Sequence, residues 1–554
     1  MKLRGSSILA WIASIVLILW TGTLYTQSHL DRTAGEENLK KVYDTILDRY
    51  VAEIDPDKLA NAAIEGMLKE LDPYSQHIDN NNSYRLDAIT TGEYGGVGIR
   101  LGRMNDSLIV ISPMDGTPAY HQGVLAGDRI IMIDSVSTKK LSLNKAADMV
   151  RGAKGSILKL KIFRIGESEP LMFELERELI KVPDVSYSGL LDDRVGYIKL
   201  SNFSKYSSEE LEKAVRKLDR THLNGLLIDL RGNPGGLLSA ALQSADLFVP
   251  NHSLLLETRG RLAQSNKKYL ARRKPILSES VPLIVLIDGG SASASEILAG
   301  ILQDYDRAVL VGQPSFGKGL VQTVTPLSSD SRLKLTTAKY YLPSGRLIQK
   351  REIATEVIYE DQLEISNESY HSEANRSFEA GEGVSPDVLV EDLPMSDLER
   401  ELWQTRLFFR YALDYYEKHP DLLLPVEVSD QGVKDFIDWL ETSKLLPQTK
   451  LSKFISKAEQ SLDSTDFVYQ DWLKLRSEMD ALLEKDSRNK FDANTLQMRS
   501  GLETELARVL GGSGARIAAA LRYDPVIDRA LSIILTPKDF QAILAGVSLE
   551  PNSD

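Results

Sequence analysis

A chain of 554 residues has room for three or four domains, and 42% hydrophobic with 26% charged residues is the balance of folded soluble domains. Its net charge of −13 argues against a nucleic-acid partner, which needs a basic face. With no cysteine there can be no disulfide framework, thiol nucleophile or thiolate metal site, and the seven histidines form no two-ligand helix spacing, so no metal is expected.

Lys2 and Arg4 precede the uncharged run Ile8–Tyr25, whose eighteen residues just reach the length of a bilayer-spanning helix. The leading positive charges should stay on the cytoplasmic side and send the rest of the chain outward. Residues 1–28 are therefore read as a signal anchor. A cleaved signal peptide is the rival reading, because Thr21-Gly22-Thr23 supplies small residues. Either way the bulk of the chain is exported, and the expected place is a bacterial inner membrane with the remaining domains in the periplasm. Residues 29–91 follow as a helical region. Leu39, Val42, Tyr43, Ile46, Leu47 and Tyr50 recur at helical spacing, as do Ile64, Met67, Leu68 and Leu71, before Asp72-Pro73 closes the pattern.

From residue 92 the period becomes that of strands. GGVGIRLG, SLIVISPM, GDRIIMID, ILKLKIFR and LMFELERE are short β-rich runs, with PAYHQG and LNKAADMVRG as helix candidates between them. Residues 92–180 resemble a PDZ domain, through Gly95-Gly96-Val97-Gly98-Ile99 and the stretch Ser112–Asp134. The resemblance implies that main-chain N–H groups of Gly95, Gly96, Val97, Gly98 and Ile99 hold the free C-terminal carboxylate of a peptide, which adds as an extra strand.

Residues 181–392 read as an α/β domain. Strand candidates Leu226–Leu230, Leu283–Ile287 and Ala308–Val311 alternate with helix patterns, which predicts a parallel or mixed sheet covered by helices. Ligands of such sheets bind at the carboxyl ends of the strands. Three loops leave those ends: RGNPGG, GGSAS and QPSFGKG. Residues 351–375 are polar and acidic and read as a surface insertion. Residues 393–554 read as a helical domain, a scaffold or docking element. One amphipathic face is Leu398, Leu402, Trp403, Leu407 and Tyr411, another is Trp472, Leu475, Met479 and Leu482, and Gly511-Gly512-Ser513-Gly514 is a break.

Ser293 stands where strand gives way to helix, and the unpaired N–H groups of a helix start favour both a nucleophilic oxygen and an oxyanion. The pattern Ser293-x-x-Glu296 also fits a capping box, and local sequence does not separate Ser293 from Ser291 and Ser295. No histidine lies in the three loops, so a serine would need another base. A lysine serves if burial leaves its amine neutral. Lys318, flanked by Gly317 and Gly319, alternates with Leu320 and Gln322 on one strand face, so Gln322 could steady the amine. The run Gly312–Gly319 also comes close to a phosphate-binding GxxxxGK[ST] loop. Gly319 stands where that loop needs Ser or Thr, and a strand follows instead of a helix.

GGSASASEILAG followed by RAVLVGQPSFGKGLVQ resembles the C-terminal processing peptidases, or tail-specific proteases. So do DLRGNPGG at Asp229–Gly236, YYLPSGRLIQ at Tyr340–Gln349 and GVSPDV at Gly383–Val388. The resemblance covers roughly residues 36–390 and implies a helical prelude, a PDZ domain and a crotonase-like catalytic core, in that order. With the membrane helix and the C-terminal helical domain read from the residues, the expected fold is a multidomain α+β and α/β protein. The resemblance implies a serine endopeptidase with Ser293 as nucleophile, Lys318 as general base 25 residues later, and Gln322 beside it. The oxyanion hole would use the N–H of Ala294 and one from the pair Gly235 and Gly236; Pro234 cannot donate. Arg151 corresponds to an arginine that couples PDZ occupancy to the active site. No metal or organic cofactor is required. Expected partners are protein or peptide substrates with free C-termini, the membrane through the N-terminal helix, and an adaptor or second copy on the C-terminal helices. The alternative is a non-catalytic PDZ scaffold that keeps the peptidase fold.

Overall fold

The computed structural model describes residues 33–547, apart from 105, 165, 192–193, 221, 329–330, 351–368, 392–393 and most of 448–468. The apolar run 8–25 and most of the insertion 351–375 lie outside the described residues. No helix among the described ones is long and apolar enough to cross a membrane.

The described chain divides into a small unit, residues 33–79 with 322–336, and a large unit holding the rest. In the small unit residues 33–49 are helical. The helix Pro56–Lys69 starts as its sequence dictates: Pro56 needs no N–H there, and the Asp55 carboxylate accepts the N–H of Asp57 at 3.0 Å. After Asp72 caps the turn, Gln76–Ile78 pairs antiparallel with residues 332–334. Gln322 belongs to this unit.

In the large unit, Ile99–Met104, Ser107–Pro113, Arg129–Ile133, Ile157–Phe163 and Leu171–Glu176 form one antiparallel sheet. Alternate residues Leu158, Leu160 and Ile162 turn into a core that also takes Ala146 and Val150 of the helix Leu143–Val150. The strand Ile99–Met104 is an edge: it pairs with Ser107–Pro113 on one side and with no other strand among the described residues.

The second sheet runs Val185–Leu190, Val195–Leu200, Gly225–Asp229, Leu283–Ile287, Val309–Gly312, Val388–Leu389. The first pair is antiparallel and the rest parallel, so the sheet is mixed. Every residue of Gly225–Asp229 and Leu283–Ile287 is buried, as unbroken apolar strands covered on both faces must be. Leu226 and Ile228 face the helices Ser207–Asp219, Leu238–Ala245 and Ala294–Asp304. Leu227, Ile284 and Leu286 face the opposite way, against Ile527, Ala530, Ile533 and Phe540 of the helices Pro525–Ile534 and Pro537–Leu544. The end of the chain thus supplies the second layer of this sheet. Burial of Ile527, Ile533 and Phe540 contributes on the order of 1.5–3 kcal/mol each.

Elsewhere in the C-terminal region the helices Asp397–Gln404 and Leu407–Lys418 meet at Arg406, whose φ of 57° breaks the run. Leu402, Leu407 and Tyr411 are buried there with Phe408 and Phe436, and Leu398 and Trp403 pack on them. The second expected face is not a buried one. Leu475 and Leu482 of the helix Tyr469–Ala493 are exposed. The glycine break proves to be a kink within the long helix Thr495–Ala520, at Gly511 and Gly512.

Candidate active site

The loop after the strand Leu283–Ile287 separates its three serines by geometry. Ser291 is buried and its hydroxyl donates to the carbonyl of Leu230 at 2.9 Å; Ser295 is buried and donates to the carbonyl of Asn233 at 2.9 Å. Both are tied into the neighbouring loop. Ser293 is half-buried and takes φ 54°, ψ −109°, a conformation a non-glycine residue holds only when its surroundings force it. It stands directly before the helix Ala294–Asp304, on a sharp strand-to-helix turn.

What forces it is Glu296, which is wholly buried. One carboxylate oxygen accepts the main-chain N–H of Ser293 at 2.7 Å and that of Lys318 at 2.9 Å; the other accepts the Ser315 hydroxyl at 2.5 Å and the Gly317 N–H at 2.6 Å. Burial pushes this carboxyl up to about 7, against the pull of its four donors. The capping reading and the catalytic reading of Ser-x-x-Glu are therefore not rivals. The same carboxylate that caps the helix ties the serine loop to the lysine loop.

Tyr340 makes a second tie. Its buried hydroxyl donates to the carbonyl of Lys318 and lies 3.3 Å from that of Ser293. The third loop joins through Asn233, whose amide donates to the carbonyl of Leu200 while its oxygen accepts the Gly235 N–H at 2.9 Å. Gly235, at φ 96°, lies so close that a Cβ there would sit 2.6 Å from the Ala292 oxygen and 2.9 Å from the Ala294 nitrogen. Only glycine permits that approach. The Gly235 N–H is thus engaged by Asn233.

Lys318 is half-buried and lies two residues before the strand Leu320–Pro326, outside it, so the expected alternation on one strand face holds for Leu320 and Gln322 but does not extend to Lys318. Gln322 lies within that strand, in the small unit. The strand also settles the resemblance to a phosphate loop. No helix follows, and the Gly317 and Lys318 N–H groups that would cradle phosphate already serve Glu296. Among the described residues there is no cluster of metal-ligating side chains, and no histidine hydrogen-bonds to these loops.

Arg231 opens the loop that carries Gly235. It is held by Asp229, at 2.7 Å, and by Asp524, at 2.7 and 3.0 Å, the residue that caps the helix Pro525–Ile534. Lys199 and the Tyr197 hydroxyl complete the ring around the buried Asp229, whose carboxyl is lowered to about 2 against its burial by Arg231 and Lys199. Sequence reasoning singled out neither Tyr340 nor Asp524 as site residues. A lone aromatic and a lone aspartate at a helix start carry no local signal.

In the PDZ-like module, Gly95 and Gly96 belong to a short strand, Glu93–Gly96, that forms a separate two-stranded sheet with Glu178–Lys181. Val97 and Gly98 turn the chain into the edge strand, and Gly98 at φ 75° leaves no room for a Cβ beside Thr117. Ile99 begins the edge. Arg151 ends the helix Leu143–Val150, pairs with Asp148 at 3.2 Å and lies 5.7 Å from the centre of the Tyr94 ring, all within this module.

Residues 194–359 match the family model of peptidase family S41, and 88–163 that of the PDZ domain. Residues 398–534 match the C-terminal helical domain of a probable PDZ-protease, and 23–82 the N-terminal domain of the activating protease CtpB. The chain is 38% identical over 367 residues to a carboxy-terminal-processing protease of Bartonella bacilliformis, covering 64% of this chain and 83% of that protein. It is 36% identical over 365 residues to the carboxyl-terminal-processing protease of Synechocystis, at 64% and 83% coverage. To the carboxy-terminal processing protease CtpA of Bacillus subtilis it is 31% identical over 354 residues, at 63% and 75%.

Proposed function

Since this chain belongs to the carboxy-terminal processing proteases, serine-type peptidases of family S41 that carry a PDZ domain, we propose that Ser293 and Lys318 form its catalytic dyad. The observation that carries this reading is the single oxygen of Glu296 that accepts both their main-chain N–H groups. Neutral Lys318 takes the proton of the Ser293 hydroxyl as its oxygen attacks a peptide carbonyl. The N–H groups of Ala294 and Gly236 receive the developing oxyanion, the lysine returns the proton to the leaving amine, and water then releases the acyl-enzyme. Gln322, four residues on, is the partner proposed for the lysine amine. Substrates are exported or membrane-associated proteins cut near their C-terminal region.

Selection of those substrates falls to the PDZ domain. A strand edge with no neighbour among the described residues supports recognition by strand addition, with the carboxylate of the substrate at the turn Val97–Ile99. Arg151 is proposed to report that occupancy to the dyad. The run 8–25 anchors the chain in the inner membrane with the catalytic part in the periplasm, and fractionation of cells expressing the full chain tests that.

The decisive experiment is mass spectrometry of the full chain mixed with an unfolded substrate and quenched early. A covalent acyl adduct on the peptide holding Ser293, absent from Ser293→Ala, is expected. Binding without any cleavage would instead make the chain a PDZ scaffold. An amidated C-terminus should weaken both binding and turnover, and equal turnover of free and amidated substrates would remove the PDZ domain from substrate selection.

A further inference from the structure

The edge strand Ile99–Met104 has two faces. Ile99 and Leu101 turn into the PDZ core with Val97 and Val150. Arg100 and Gly102 turn the other way, and the C-terminal helical region comes down on them. Phe409 packs on Ile109 and Ile111, the Arg100 guanidinium donates to the Ser513 hydroxyl at the kink of Thr495–Ala520, and Arg406 lies over Gly102. A Cβ at residue 102 would stand 2.6 Å from Ile111 and 3.1 Å from Arg406 Nη2, so glycine opens the seat that this guanidinium occupies.

Behind Arg100 and Arg406 stand two more arginines of the same long helix. Arg508 pairs with the buried Glu505 at 2.9 Å, and Arg516 lies 3.6 Å from its other oxygen. Burial first, then Arg516, Arg406 and Arg100, hold Arg508 below the usual arginine range, while Glu505 raises it. Arg508 and Arg516 thus share one carboxylate, with the Arg406 and Arg100 guanidiniums near Arg508, in a chain whose net charge is −13. Such a local reversal of sign beside an open strand edge suits an anionic ligand.

We propose that Arg100 and Arg406, backed by Arg508 and Arg516, make this PDZ groove selective for substrate C-termini with an acidic side chain on the outward-facing positions. The proposal deepens the reading of the PDZ domain as the site of strand addition and rests on it. Side chains of an added strand alternate. Those on the inner face enter the groove beside the helix Leu143–Val150, as the residue at the carboxyl terminus must. The residues one and three before it then project toward the arginines, where a carboxylate gains charge-assisted hydrogen bonds. The C-terminal helical region becomes a specificity element for the PDZ domain.

Fluorescence anisotropy tests this with the full chain carrying Ser293→Ala and labelled peptides ending in one apolar residue. One peptide carries Glu at the two outward positions, a second Gln and a third Lys. The Glu peptide should bind about tenfold more tightly than the Gln peptide, which is about 1.4 kcal/mol, and the difference should shrink as salt is raised. Arg100→Glu, a change at an exposed side chain, should turn the order in favour of the Lys peptide. Equal binding of Glu and Gln peptides overturns the selectivity and leaves the PDZ reading standing. Failure of every peptide to bind overturns both. A Glu preference that survives Arg100→Glu overturns the assignment to these arginines.

Discussion

Glu296 holds Ser293 by its main-chain nitrogen, 2.7 Å from a carboxylate oxygen that no solvent reaches. The other donors on this carboxylate are Lys318, Gly317 and Ser315, so one side chain ties the strained Ser293 turn and the lysine loop together. In Glu296→Gln, whichever way the amide turns, an NH2 group faces two donors. Each unmet donor costs about 1–3 kcal/mol. Cleavage should fall by orders of magnitude and the melting temperature should drop. A Glu296→Gln protein with unchanged rate and melting curve would show that the carboxylate positions nothing.

Stability should also depend on pH through this group. Its carboxyl stands at about 7 in the folded chain against an ordinary 4.5, so between those values the folded state holds the extra proton. Stability is then greatest below about 4.5 and is lost as pH rises through 7, by about 3 kcal/mol at most. Melting curves from pH 5 to 8 should fall in the wild type. In Glu296→Gln that part of the slope should vanish, and an identical slope in both proteins would contradict the shift.

The three serines should part company. Ser293→Ala should abolish cleavage with little change in melting temperature. Ser291→Ala and Ser295→Ala each remove a buried hydrogen bond between loops and should cost about 1–2 kcal/mol, yet retain substantial activity. Full activity in Ser293→Ala would exclude it as the nucleophile.

Lys318→Arg should be inactive, because a general base must give up its proton near working pH and arginine effectively never does. Lys318→Met should be inactive too, with thermal stability unchanged or slightly higher, since methionine has similar length without a polar group to desolvate. Rates and melting curves on both proteins decide this. An active Lys318→Arg enzyme rules out the lysine as base.

Asp524 reaches from the C-terminal helices to Arg231, at the head of the loop that brings Gly235 against the Ser293 turn. Asp524→Asn keeps an N-cap side chain but removes the charge from the two bonds to Arg231. It should lower kcat several-fold with KM nearly unchanged and cost about 1 kcal/mol of stability. Truncation after residue 520 is a harsher change. It uncovers Leu227, Ile284 and Leu286 on the sheet face and should yield insoluble protein. Full activity in both variants would mean that the tail plays no part in the core.

By itself the sequence determined much of this protein. Alternation and unbroken apolar runs located the PDZ strands and the buried strands Leu283–Ile287 and Gly225–Asp229, because side-chain period and two-sided burial are local properties. The serine-rich turn, the FGKG loop and their order along the chain were legible as motifs for the same reason. The tertiary structure alone decided which serine is available, since Ser291 and Ser295 differ from Ser293 only in what Leu230 and Asn233 offer them across loops. It also decided what Glu296 does beyond capping, which of Gly235 and Gly236 has its N–H engaged, and that Tyr340 and Asp524 reach the site. Those facts depend on contacts between segments up to 293 residues apart, and no local pattern records them. The helical tail shows the limit plainly. Its apolar residues predict a buried face, but only the folded chain shows that Ile527 and Ile533 meet the catalytic sheet while Leu475 and Leu482 stay exposed.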